Sequence, residues 1–509
     1  MRFPFALFTI FFLAANNLFA QQQKSKPNIL IILTDDHAFQ AIGAYGAKYG
    51  VTPNIDRIAR EGAVFNHAYV TNSICGPSRA TILTGKYSHK NGFKTNADAF
   101  DVGQDMFTKH LKSAGFQTAW VGKWHLKNYP QGFDFWKIVP GQGQYYNPDF
   151  IDMKGDTSRM TGYCTDLITD IAFDFLDKRD QSKPFCLVVG EKAPHRNWMP
   201  DTGDLGRFDK VTFPSPHDFS DDYTGRIAAA HQDMSIEKTM LMDDDLKMEG
   251  RRSGLGGAYT ARMNPEQKKK WMAHYSRINA ELQQKHLSGK ALTEWKYQHY
   301  MRDYLATTAS LDRNVGRILG YLDKNNLSKN TIVIYLSDQG FYLGEHGWFD
   351  KRFMYEESYR TPLIMRYPGV IKPGTNFNQM VLNMDIGPTM LDIEGLPVPA
   401  DVQGKSFFPV LKNPKAAGRK SLYYHYYEYA EHSVMPHFGV KNSRYKLIRF
   451  YGPQDFWELY DLQKDPHEVK NLYGKKGYDQ VTAVLKTDLA ASAKAYQDDE
   501  VLTILASKK

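Results

Sequence analysis

Along the first two thirds of the chain, short unbroken apolar runs alternate with stretches in which apolar residues recur at helical spacing. NILIILT (28–34), AVFNHAYV (63–70), QTAWVG (117–122), FCLVVG (185–190) and TIVIYLS (331–337) read as buried strands. Helices are expected near 55–61, from Pro77 onward, over 162–179 and over 297–325. Buried strands interleaved with helices imply an α/β domain built on a mostly parallel central sheet flanked by helices. The stretch 201–300 is polar, charged and broken by glycine, and is expected to lie over that sheet as an insertion or cap. Beyond about residue 400 the pattern changes. SLYYHYYEYAEH, SRYKLIRFY and FWELYDL are short aromatic strands, and one helix is expected over 478–507. The predicted organisation is a large domain over 25–400 and a smaller one over 401–509, the latter an antiparallel sheet with one helix.

MRFPFALFTIFFLAANNLFA, residues 1–20, combines one basic residue, an apolar run and a small residue before QQQ. It reads as a signal peptide cleaved after Ala20. Asn16 and Asn17 interrupt the run, which is short for a membrane anchor, and no later stretch is apolar enough to cross a bilayer. Export, most simply to a bacterial periplasm, is therefore expected, without stable membrane insertion. The net charge of +8 is a mild excess that suits an anionic ligand and does not call for nucleic acid. Three cysteines, Cys75, Cys164 and Cys186, are too few for a disulfide framework, and at least one stays unpaired in an oxidising compartment. Cys186, inside FCLVV, reads as buried filler.

In open α/β sheets ligands bind beyond the carboxyl ends of the strands. Four runs deliver ionisable groups there, the last with a neutral amide beside it: Asp35, Asp36 and His37; Lys123 and His125; Lys192 and His195; Asp338 and Gln339. Either aspartate of the first pair would serve equally well as a helix cap. Taken together, Asp35, Asp36 and Asp338 repel one another in a desolvated cleft unless a cation lies between them. With the amide oxygen of Gln339 they form an all-oxygen set suited to Ca²⁺ first and Mg²⁺ second. Arg79, Lys123, His125, His195 and Lys351 then need an anion between them and the metal, and a tetrahedral sulfate or phosphate answers that need. Cys75 opens the helix that Pro77 initiates, and unpaired N–H groups at that helix mouth favour the same anion. Arg79 lies one turn along and reaches the same place.

Cys75-Gly76-Pro77-Ser78-Arg79 resembles the sulfatase signature C-x-P-S-R, with Leu83-Thr84-Gly85-Lys86 as its extension. DD at 35–36, GKWH at 122–125, APH at 193–195, DQGFYLGEHGWFDKR at 338–352 and WELYDLQKDPHEVKNL at 457–472 follow in the family's order. The resemblance implies an alkaline-phosphatase-like fold and oxidation of Cys75 to formylglycine by a maturation enzyme. It implies a metal held by Asp35, Asp36, the converted Cys75, Asp338 and Gln339. Gln339 departs from the more usual Asn or His. By similarity, His195 is the general acid, His125 the base, and Lys351 stabilises the bridging oxygen. Arg79 and Lys123 hold the oxygens of the aldehyde hydrate and of the sulfate. GQGQYYNPDF, KAPHRNWMPD and GEHGWFDKRFMYEESYRTPL look most similar to N-acetylglucosamine-6-sulfatases of carbohydrate-degrading bacteria, which act on glycosaminoglycan or mucin sugars. Asp350 and Arg352, flanking Lys351, are the expected sugar-binding residues, joined from the small domain by His437, with His432 as a second candidate. Alternatives are a sulfatase for the 2-O or 4-O position and a phosphate or phosphonate monoester hydrolase of the same superfamily. With Cys75 unconverted, the chain would instead be a metal-dependent sulfoglycan-binding protein.

Overall fold

The apolar runs become the interior of a ten-stranded sheet in a computed structural model that describes residues 26–250, 257–429 and 431–507. The proposed signal peptide lies outside the described residues. Five central strands are mutually parallel, in the order Thr331–Ser337, Asn28–Thr34, Phe185–Gly190, Gln117–Lys123 and Phe135–Val139. Four of the five were legible as runs rich in β-branched and aromatic residues, and burial on both faces removes the alternation a half-exposed strand would show. Antiparallel edges extend the sheet. Leu363–Arg366 pairs with Thr331–Ser337 on one side, and Asp149–Asp152 and Thr157–Arg159 close the other.

AVFNHAYV is two strands rather than one. Ala63–Phe65 joins the large sheet and Ala68–Tyr69 pairs with Val381–Leu382 in a separate ribbon, because the polar Asn66-His67 pair turns the chain between them. The helix expected from Pro77 begins two residues earlier, spanning Cys75–Thr84, so that Cys75 is itself its first residue. The helix expected over 297–325 is longer, Gly289–Lys324, and its first third belongs to the polar insertion. The described part of that insertion is helical and irregular. Its longest helix, Pro265–Lys285, starts from a capping box between Asn264 and Gln267 and buries Trp271 and Tyr275 against Tyr146 and His299. No helix among the described residues is long and apolar enough to cross a membrane.

The small sheet is antiparallel, Leu422–Tyr426, His437–Lys441, Tyr445–Phe450 and Phe456–Asp461 in order. Its companion helix is broken in two, Asp479–Tyr496 and Asp499–Ala506, because Gln497 takes a left-handed φ of 60° and Asp498 caps the second piece. This sheet shares one apolar cluster with the large domain, including Tyr69, Tyr87, Trp348, Phe353, Tyr424 and Phe438. The Tyr424 hydroxyl accepts from Ser73 N at 3.2 Å and donates to Arg352 O at 2.7 Å. The small domain therefore holds both the loop before Cys75 and the loop carrying Lys351.

Glu458, on the last strand, is buried. One carboxylate oxygen accepts from the Tyr355 and Tyr460 hydroxyls at 2.8 Å each, while the other has no partner. Burial pushes its pKa from 4.5 up to about 7. In the folded state the carboxyl stays protonated while the unfolded chain ionises, so stability is lost as pH climbs from about 4.5 through about 7. Glu458→Gln is expected to flatten that loss by on the order of 3 kcal/mol between pH 5 and pH 8. Thermal unfolding of both proteins at the two pH values checks this, and an unchanged pH slope would contradict it.

Candidate active site

The carboxyl ends of the parallel strands meet the mouth of the Cys75 helix. Asp35, Asp36 and Asp338 are all fully buried, and each brings a carboxylate oxygen within 4.8 Å of the others. Asp36 takes a left-handed φ of 64°, and its amide donates to Asp338 Oδ1 at 3.2 Å. The turn is pinned from the long helix, where the Tyr304 hydroxyl donates to Asp36 O at 2.8 Å and accepts from Ala38 N at 2.9 Å. Burial raises Asp36 to about 6, with Asp35 and Asp350 adding to the rise against Lys351. Burial and the charge of Asp35 take Asp338 to about 7. Burial also works on Asp35, but Lys123, His195 and Arg79 outweigh it and hold that carboxyl well below its usual range.

This cluster has the chemistry of a divalent-cation site. Asp35 Oδ1 and Gln339 Oε1 are buried without any hydrogen-bond partner, and three carboxylates converge where like charge is costly. Gln339 presents its amide nitrogen to Asp36 and, at 3.9 Å, to Cys75 Sγ. Exchange of the amide's two ends would turn its oxygen to the same spot. Asp35, Asp36, Asp338 and Gln339 are thus fit to hold a hard ion.

Cys75 is 1% exposed and free, as are the buried Cys164 and Cys186. Burial, reinforced by Asp35, pushes its thiol pKa well above normal. Lys351 Nζ stands 3.4 Å from Cys75 Sγ and 2.6 and 2.7 Å from the two oxygens of Asp36. Arg79 donates from Nε to Asp338 Oδ2 at 2.9 Å and from Nη1 to Lys123 O at 2.8 Å, with Nη2 left unpartnered. Lys123 donates to Asp35 and to Gln142. Gln142 escaped sequence reasoning because nothing local distinguishes it within a glycine-flanked loop. Lys192, also buried, rests its ammonium 4.6 Å from the centre of the Tyr145 ring.

His195 Nδ1 lies 2.7 Å from Arg196 O, which can only accept, so Nε2 is the free edge, 3.8 Å from Asp36 Oδ2. His125, at a left-handed φ of 59°, has a buried Nδ1 with no partner. Burial lowers both imidazoles well below their usual pKa, aided for each by Lys123. Asp350 and Arg352 also have left-handed φ values, 81° and 97°, on either side of Lys351. Non-glycine residues rarely adopt such angles, and they concentrate where function needs a fixed side-chain direction. Arg352 is clamped by Asp350, Glu428 and Glu431, and Glu428 Oε1 accepts from Asn96 N at 2.6 Å. A cleft of about 470 Å³ opens there, lined by Asn96, Tyr427, Glu428 and Glu431.

His437 is not part of this site. It is a buried residue of the small sheet, with Nδ1 2.8 Å from Met435 O and Nε2 accepting from Met354 N at 3.1 Å, and its ring packs on Phe353 and Phe450. Strand alternation turns it inward and commits both nitrogens. His432 lies beside Asp350, with Nε2 3.3 Å from Asp350 Oδ2 and Nδ1 2.5 Å from Asp233 O.

Comparison with known proteins agrees with this geometry. The chain matches the family described as Sulfatase over residues 27–396, and the one described as N-sulphoglucosamine sulphohydrolase, C-terminal, over 344–495. It is 50% identical over 502 residues to an N-acetylglucosamine-6-O-sulfatase of Bacteroides thetaiotaomicron, covering 95% of this chain and 90% of the relative. A solved structure in complex with its substrate D-glucosamine-2-N,6-O-disulfate superposes with a TM-score of 0.91 at 50% identity, covering 93% of this chain and 99% of the other. The phosphonate monoester hydrolase of Agrobacterium radiobacter shares the fold at a TM-score of 0.67 and 20% identity, covering 92% and 96%. The chain belongs to the sulfatase family.

Proposed function

We propose that this sulfatase is exported to the periplasm and removes the 6-O-sulfate of N-acetylglucosamine in glycosaminoglycans or mucin O-glycans, using an oxidised Cys75 and a bound Ca²⁺. The observation that carries the choice of sugar is the 50% identity, over 95% of the chain, to a relative named for that substrate. In this reading residues 1–20 are removed on export, 25–400 form the catalytic domain and 401–509 support it.

A thiol held well above its normal pKa is a poor nucleophile, so Cys75 as a thiol would be inert. Its position makes sense for an oxygen in its place. Formylglycine, formed by a maturation enzyme, supplies as its hydrate two oxygens on one carbon, one to attack sulfur and one to expel sulfate afterwards. The ion that Asp35, Asp36, Asp338 and Gln339 would hold supplies positive charge that acidifies such an oxygen. Arg79 and Lys123 fix the oxygens around the reacting centre. Lys351, 3.4 Å from Cys75 Sγ, stands where charge develops on the oxygen between sulfur and sugar. The Nδ1 bond of His195 aims Nε2 into the site, and the negative charge of a bound sulfate favours the protonated ring there. His195 then delivers the proton to the leaving sugar oxygen. His125, kept neutral by burial, takes the proton from the second hydroxyl.

Protein produced with its maturation enzyme is expected to turn over N-acetylglucosamine-6-sulfate at least about 100-fold faster than 2-, 3- or 4-sulfated monosaccharides and phosphate or phosphonate monoesters. Chelation is expected to abolish activity, and Ca²⁺ to restore it more fully than Mg²⁺. Faster turnover of a 2-O- or 4-O-sulfate, or of a phosphorus ester, would replace this assignment.

A further inference from the structure

His89, on the short helix Ser88–Asn91, meets His425 of the first small-sheet strand and Asp498 at the break between the terminal helices. One nitrogen from each ring and one carboxylate oxygen lie within 4.8 Å of one another. His425 Nδ1 is 2.7 Å, and His89 Nδ1 3.2 Å, from Asp498 Oδ2. The side chains of His425 and Asp498 are fully buried and that of His89 is 6% exposed.

The far edge of the His89 ring decides how its nitrogens are protonated. His89 Nε2 lies 2.8 Å from the Tyr496 carbonyl, which only accepts, so Nε2 carries the hydrogen. His425 Nε2 lies 2.8 Å from the Tyr451 hydroxyl, a group that both donates and accepts, so this edge does not fix the His425 tautomer. A neutral His89 therefore turns its Nδ1 lone pair toward Asp498 Oδ2, the oxygen that His425 Nδ1 also meets. Asp498 Oδ1 accepts from Val501 N at 3.3 Å, which leaves Oδ2 for the rings and for the Tyr423 hydroxyl at 2.8 Å. A lone pair facing a carboxylate is unfavourable unless a metal ion or a proton lies between them. A histidine whose outer N–H is tied to a carbonyl or hydroxyl is also how proteins orient a metal ligand.

We propose that His89, His425 and Asp498 form a second metal site, independent of the catalytic cluster, that takes a transition ion of borderline softness, zinc foremost. Two imidazoles and one carboxylate suit zinc and not calcium, which prefers oxygen throughout. Tetrahedral bonds of about 2.0–2.1 Å put ligand atoms about 3.3 Å apart, so His89 Nδ1 at 3.2 Å from Asp498 Oδ2 already fits, and His425 Nδ1 at 2.7 Å moves back by roughly 0.6 Å. The Tyr427 hydroxyl, 3.3 Å from His89 Nδ1, borders the fourth position. The ligands come from the large domain, the small sheet and the terminal helix junction, so the ion ties the small domain to the segment that follows the Cys75 helix.

The test uses full-length protein carrying Asp36→Ala to disable the catalytic cluster, stripped with chelator and re-equilibrated with zinc or cobalt. A single equivalent of zinc is expected to survive desalting and raise the unfolding temperature, and cobalt is expected to give the visible bands of a tetrahedral site. His89→Gln and His425→Gln, added singly, are expected to reduce retention to background. Absence of retained zinc together with absence of tetrahedral cobalt bands in the parent protein overturns the proposal, and needs no further variant to fold. Retention that persists in both folded histidine variants overturns it equally. In either case shared protons, not a metal, bridge the three groups.

Discussion

Cys75→Ser is expected to lower turnover of every sulfate ester by about 10³–10⁵-fold while leaving the fold intact. Serine is close to the thiol in size, and its hydroxyl stands where Sγ meets Lys351 and Gln339. The loss comes from chemistry. A single hydroxyl can attack sulfur once, but it offers no second oxygen on the same carbon to expel the sulfate. The variant should therefore stall after one event or never react, and the charge set around it should still bind sulfated sugar. Steady-state kinetics on an aryl sulfate and on N-acetylglucosamine-6-sulfate measure the loss. The intact mass of the peptide carrying Cys75 supplies the complementary reading, because conversion removes one sulfur and two hydrogens and adds one oxygen. Full activity in the serine variant, or an unaltered thiol in active wild-type protein, would remove formylglycine from the account.

Most of this site was legible because chemistry and topology coincide in the sequence. Asp35, Lys123, His195 and Asp338 each follow a run apolar enough to be a central strand, and parallel strands put their carboxyl ends on one edge. The convergence of Asp35, Asp36 and Asp338 follows from that rule without reference to tertiary detail. Residues set by loops were less accessible. Gln142 reaches Lys123 from a loop with no periodicity, and the role of Glu428 depends on how the small sheet docks beside Arg352. His437 shows the limit most clearly. It stands in the right segment, but whether a strand residue faces a cleft or a core depends on register, and a shift of one residue reverses the answer. The split of AVFNHAYV and the break at Gln497 have the same origin, since two residues of turn or one left-handed residue redirect a chain without altering its apolar pattern.

Asp350→Ala is expected to lower kcat/KM on N-acetylglucosamine-6-sulfate by about 100-fold and to change turnover of an aryl sulfate by less than about fivefold. Asp350 touches neither Cys75 nor the carboxylate cluster. Its Oδ1 accepts from Lys351 N at 2.8 Å and pairs with Arg352 Nε at 3.2 Å, while Oδ2 faces His432 at 3.3 Å. Burial works against its charge, but His432, Arg352 and Lys351 together hold the carboxyl well below its usual range, so it remains an acceptor throughout the working pH. A buried anionic acceptor beside a clamped guanidinium is the pairing that grips vicinal hydroxyls, one group accepting and the other donating. A sugar offers such hydroxyls and an aryl ring does not. Asp350 also sits at a φ of 81°, so Asp350→Asn, which tolerates that backbone and keeps an acceptor oxygen, should lose less than Asp350→Ala. Equal losses on the two substrates would mean that Asp350 acts by holding Lys351 in place, and sugar recognition would then have to be sought in Glu428 and His432.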